Sequence, residues 1–241
     1  VDDVIDIVEL NLSQKNIKDI SGLEYFLSLE SLSLYNNQIE DLTPLKKLAD
    51  LKHLHLFENE ISDISSLTNL KKLESLSLSN NRIQNLEPLK ELTCLKNLSL
   101  SNNQIRSLLE LRKLINLSYL SLYNNKIKSI SGIEHLSELT YLSLSNNQIK
   151  EIPKEIENLK LLNTLDLSNN KISGLYSNFF NLKFLKILNF NNNKIKILPR
   201  QISNLKLLTN LYISNNNIKE LPPEFYELTN LKELDISRNE I

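Results

Sequence analysis

Apolar and polar positions along this chain follow a pattern that returns every 22 or 23 residues. The unit is LxxLxLxxNxI, with x mostly polar. Its asparagine stands at Asn37, Asn59, Asn81, Asn103, Asn125 and Asn147, at intervals of 22, and then at Asn170, Asn193, Asn216 and Asn239, at intervals of 23. A further copy opens the chain, with Leu10, Leu12 and Ile17 in register and Lys15 at the asparagine position. Self-similarity at such a period marks a stacked repeat architecture, here of about eleven copies.

Within each copy the leucines alternate. Leu32 and Leu34, or Leu76 and Leu78, therefore point to one face of a short strand and the residues between them to the other. A single copy cannot bury its own apolar face. Stacking aligns the strands into a parallel sheet, and the remaining leucines close the core from behind. The asparagine is predicted to turn the chain at a buried corner, its amide bonding backbone groups of its own copy and of the adjacent one. That gives the column a structural role and leaves catalysis with nothing to explain.

Strings such as LESLSLYNNQI, LKNLSLSNNQI and LKELDISRNEI resemble the leucine-rich repeat family over the whole chain. The resemblance implies an α/β-type solenoid: a right-handed horseshoe with a parallel β-sheet on its concave face and short helical, 3-10 or extended segments on its convex face. One domain is expected over residues 1–241, with two sub-types of copy. Over residues 1–152 the connections read DLTPLKKLADL or NLEPLKELTCL, similar to the 22-residue class of internalins and of a phosphatase-regulating subunit. Over residues 153–241 they read IPKEIENLKLL or LPRQISNLKLL, similar to the 23-residue class of intracellular and bacterial proteins. Pro153, Pro199 and Pro222 predict an extended segment leading into a short turn there. The spacing already holds at Val1, Val4 and Ile7, and neither end carries the polar cap a solenoid needs, so an excerpt of a longer protein is expected.

With the leucines inward, three positions per copy form the concave surface. Most are small or polar, among them Ser31, Ser33, Ser75, Ser77, Ser99, Ser101, Ser121, Ser143 and Ser145. The charged members are Glu9, Asp166, Glu233 and Asp235, and none is basic, which argues against phosphate binding through this face. Against that background the large side chains stand out. Tyr35 and Phe57 occupy one column in neighbouring copies, about 5 Å apart, and His53 and His55 extend the patch. Tyr119 and Tyr141 are neighbours in another column, with Tyr123 at the far end of the Tyr119 strand, whereas Tyr212 and Ile187 stand isolated. Aromatic side chains free of core duty are favoured protein-binding anchors, because they offer large contact area with little rotamer entropy to lose. The competing reading makes them ordinary surface residues with high strand propensity. Leu161, Phe184 and Leu207 replace polar residues on the flank of three successive copies; one reading makes them a second docking ridge, and the favoured one has them partly buried over the altered back of the 23-residue copies.

Composition narrows the function classes. Lysine and arginine number 28 against 29 acidic residues, a balance that argues against bulk attraction to nucleic acid or anionic lipid. No apolar run is long enough for membrane insertion, and three glycines leave no phosphate-cradling loop. His53 and His55 share a face, but a metal site wants three or four ligands. The serines beside them recur in copies that have no histidine, so they do not point to a nucleophile. Cys94 is the single cysteine, which excludes an internal disulfide and fits a reducing compartment. The tripeptide NLS at Asn11, Asn97 and Asn116 matches a glycosylation acceptor, and sugars on the first two would obstruct the concave face.

The expectation is a monomeric, non-enzymatic scaffold without cofactors that binds another protein on its concave sheet. Cytoplasmic residence is favoured, including delivery into a host cell, with the bacterial surface or secretion as the alternative. The internalin resemblance implies a host or cell-surface ligand, and the intracellular class a signalling or ubiquitin-pathway partner. A different reading makes the chain the targeting region of a larger kinase, GTPase or ubiquitin ligase.

Overall fold

The computed structural model describes residues 6–241. Val1 and Val4 lie outside the described residues. One open sheet holds eleven parallel strands in sequence order, each of three residues. They include β1 (Glu9–Asn11), β2 (Ser31–Ser33), β3 (His53–His55), β6 (Tyr119–Ser121) and β7 (Tyr141–Ser143). Register is set by the repeat, with Leu10 opposite Leu32 and Leu32 opposite Leu54. Main-chain bonding continues past the strands, as where the amide of Asn36 donates to the carbonyl of Phe57 at 2.9 Å.

Successive strands are joined through a 3-10 turn of three to five residues, such as Ser65–Leu67 or Lys154–Asn158, and no α-helix occurs among the described residues. The turns are short because each copy offers only the inward leucines on either side to pack, as Leu67 and Leu70 do. The two sub-types enter them differently. Leu42, Leu86 and Leu108 precede their turns with ψ near 0°, whereas Pro153, Pro199 and Pro222 do so in extended conformation at φ of −63 to −65° and ψ of 148 to 152°. The proline ring imposes that φ, and the additional residue of the longer copies is taken up by the extended entry.

The core is a single stack of leucine and isoleucine, most of them fully buried, with Phe179, Phe180 and Phe190 filling it within the 23-residue copies. Burial of each such side chain is worth about 1.5–3 kcal/mol. The asparagine column lies at the corner as predicted. The Asn37 amide nitrogen donates to the carbonyls of Leu12 at 3.0 Å and Leu34 at 2.9 Å, while its oxygen accepts from the amides of Lys15 and Ile17 at 3.0 Å. Every asparagine of the column from Asn59 to Asn239 repeats this donation to the preceding copy.

Candidate aromatic patches on the concave face

Tyr35 and Phe57 follow β2 and β3 by two residues, so both side chains project from the concave face in one column. Their rings stack face to face, with centroids 4.4 Å apart and 6° between planes. Such a stack fixes both rings in one geometry while leaving each half-exposed. His55 lies beside Phe57 and His53 is at the start of the same strand, so one row across the third copy reads His53, His55, Phe57. His53 is exposed and His55 half-buried. Burial, aided by the neighbouring His53, holds the His55 imidazole below its ordinary pKa and favours the neutral ring.

The second patch is built the same way. Tyr119 and Tyr141 pair in register across β6 and β7, and their rings stack at 4.5 Å and 7°. Burial is the main cause of a raised Tyr141 pKa, so its hydroxyl stays protonated and able to donate. Tyr123 is exposed at the opposite edge of the same copy. The two patches do not merge. The two ring stacks stand at opposite edges of the concave face with the short side chains of the fourth and fifth copies between them, where Ser75, Ser77, Asn97 and Ser99 form a shallow hollow bounded by Tyr119.

Several sequence-based expectations need correction. Ser101, Ser121, Ser143 and Ser145 are buried, not open contact positions. A serine is short, and neighbours only one strand spacing away on either side shade it; Ser101 and Ser121 bond each other through their hydroxyls at 2.7 Å. Tyr212 is not isolated, since its hydroxyl donates to Glu233 and accepts from the Asn210 amide at 3.0 Å. Leu161, Phe184 and Leu207 were expected to be partly buried, yet all three are exposed, Phe184 at 54%. The core places around them are already filled by Leu159, Leu162, Leu182, Leu185, Leu205 and Leu208, which turns the intervening side chain outward.

Among the described residues no group of three or more histidine, cysteine, aspartate or glutamate side chains is placed to hold a metal ion. No helix among them is long and apolar enough to cross a membrane. Cys94 is exposed as a free thiol, and the Asn116 amide donates to the Thr93 carbonyl at 2.8 Å.

Comparison with known proteins agrees with this architecture. The family described as Leucine Rich repeats (2 copies) matches residues 7–47, 50–91, 93–135 and 206–241. Leucine-rich repeat region matches residues 123–193, and Leucine Rich Repeat residues 184–205. The chain belongs to the leucine-rich repeat family. No curated protein sequence matches it. Among solved structures, a leucine-rich repeat protein of Leptospira interrogans is similar over 98% of this chain and 62% of its own, with 34% identity and a TM-score of 0.93. An internalin (inlF) of Listeria monocytogenes is similar over 99% of this chain and 83% of its own, with 29% identity and a TM-score of 0.72. A plant peptide hormone receptor, solved with its peptide, shares the fold alone at 23% identity, over 96% of this chain and 44% of its own, with a TM-score of 0.82.

Proposed function

We propose that this chain is a non-enzymatic scaffold that captures a partner protein on its concave sheet. Tyr35, Phe57, Tyr119 and Tyr141 are the anchors, and His53, His55 and Tyr123 complete the contact. The observation that carries the reading is the pair of face-to-face aromatic stacks standing on a surface otherwise paved with serine and asparagine. Stacking holds the rings in place before a partner arrives, which lowers the ordering cost of association. Two patches at opposite edges suit a partner that crosses the sheet diagonally. The chain acts as a monomer in this reading. Exposed Cys94 favours a reducing compartment, either the cytoplasm or that of a host cell, because an oxidising one would leave an accessible thiol open to modification. Likeness to an internalin supports the surface or secreted alternative.

The test is affinity capture with three baits: the native chain, Tyr35→Ser/Phe57→Ser, and a convex-face control, Tyr226→Ser. Tyr226 is 79% exposed on the turn Pro223–Glu227. The reading expects a protein retained by the native chain and the control and lost by the double variant. Equal retention on all three would refute it.

A further inference from the structure

The near-even charge total conceals a segregation along the solenoid. Residues 1–99 hold 10 basic against 16 acidic side chains, whereas residues 100–220 hold 16 basic against 8 acidic. Much of the excess lies on one side. The residue after each buried asparagine, and the residue two further on, flank the inward isoleucine of the motif and turn outward, as Lys126 and Lys128 do around the fully buried Ile127. Main-chain bonds join this segment from copy to copy: the amides of Lys126, Lys171 and Lys194 donate to the carbonyls of Ile105, Ile149 and Ile172 at 2.8 to 2.9 Å. Two columns therefore run beside the sheet with about 5 Å between copies.

In one column Arg106, Lys128 and Lys150 occupy three consecutive copies, with Lys196 beyond. In the other, Lys171 and Lys194 are direct neighbours and Lys126 precedes them. All seven are exposed, and among the described residues none forms an ion pair. The same columns in the first copies are mixed, and there Glu60 pairs with Arg82 at 2.8 Å. Little counter-charge borders the stripe. Asparagines 102, 124, 146, 169 and 192 line its sheet side; in the column Ser107, Ser129, Glu151, Gly174 and Ile197 on its other side Glu151 is the one carboxylate, and Glu110 reaches Ser107 from beyond it at 3.1 Å. Like charges directly opposite on adjacent chains are destabilising. Arg106 with Lys128, Lys128 with Lys150, and Lys171 with Lys194 lie on adjacent copies, inside the screening length of about 10 Å at 0.1 M salt. The stripe thus offers an anion a row of exposed cations that, among the described residues, have no carboxylate partner of their own.

We propose that this stripe binds a linear sulfated polysaccharide, independently of the concave face and in the surface or secreted setting rather than in a reducing compartment. Six of the seven cations are lysines, which meet an anion as point charges and set no bidentate geometry, so a row of them accepts regularly spaced anionic groups on a flexible chain. No aromatic side chain stands between them to stack a base, as a site for single-stranded nucleic acid would need. Between them the two columns place at least one cation on each of five successive copies, which suits a flexible chain laid along the stripe.

The probe is heparin, immobilised and in solution, at low and rising salt. The native chain is expected to be retained, with affinity falling steeply as salt rises. The variant Lys128→Gln/Lys150→Gln/Lys171→Gln/Lys194→Gln is expected to lose about tenfold or more in affinity, whereas Lys15→Gln/Lys46→Gln/Lys47→Gln/Lys71→Gln, with the same change in net charge, keeps most of it. Circular dichroism confirms that both variants fold. The proposal is overturned if the native chain is not retained, if both variants lose equally, if desulfated heparin binds as well, or if duplex DNA of matching length binds as tightly.

Discussion

The side-chain amide of Asn103 donates to the main-chain carbonyl of Leu78, 25 residues earlier, at 3.0 Å, and to that of Leu100 at the same distance. Its oxygen accepts from the amide of Ile83 at 2.9 Å. One buried side chain thus satisfies main-chain groups of two copies. Asn103→Ala leaves three buried groups without partners, at about 1 kcal/mol or more each, so a loss near 3 kcal/mol is expected in urea unfolding. A loss below about 1 kcal/mol would show that water or backbone relaxation replaces the bridge.

Gly132 and Gly22 both precede 3-10 turns with positive φ, of 105° and 98°. They differ in surroundings. A Cβ at Gly132 would lie 2.9 Å from the Leu108 carbonyl oxygen, whereas one at Gly22 would meet nothing within 4 Å. Gly22→Ala is expected to cost only the backbone strain, about 1 kcal/mol, and Gly132→Ala clearly more. Equal thermal shifts for the two variants would contradict the steric argument.

Glu58 has φ of 57° in a column where Asn36 and Asn80 adopt 53° and 56°. Asparagine tolerates the left-handed region better than a longer side chain does. Glu58→Asn is therefore expected to raise the urea midpoint by the equivalent of about 0.5 kcal/mol at unchanged slope.

His55 gives a pH dependence of definite sign. Its folded pKa lies below the ordinary value of 6.5, so between the two the unfolded chain binds a proton that the folded chain does not. Stability falls as pH drops through 6.5 toward the folded pKa and levels off below it. The His55 imidazole resonance of the folded chain should titrate with a midpoint under 6.5, and His55→Gln should remove that part of the stability profile. A midpoint at or above 6.5 would mean that the ring is not desolvated.

The repeat made most of the fold legible from sequence. The register of asparagines placed every strand, the alternation of Leu32 and Leu34 told inside from outside, and Pro153, Pro199 and Pro222 marked the extended entries to the later turns. Columns gave the adjacency of Tyr35 with Phe57 and of Tyr119 with Tyr141, because stacking one copy on the next is the whole geometry. Spacing could not give exposure. Ser121 and Ser143 occupy nominally open positions and are buried because they are short, and Phe184 is exposed because both neighbouring core places are taken. Nor did Tyr212 announce its link to Glu233, which depends on side-chain reach across copies. The basic stripe was written in the sequence but cancelled in the whole-chain total; reading charge column by column exposes Arg106, Lys128 and Lys150 as one row.

The most direct measurement is the affinity of the captured partner for the native chain and for Tyr35→Ser/Phe57→Ser, by titration calorimetry at neutral pH. Anchor residues of this kind are worth about 2 kcal/mol or more, so the double variant should bind about 30-fold or more weakly while keeping the native circular dichroism. Unchanged affinity in a folded double variant would contradict a concave-face contact centred on the stacked rings.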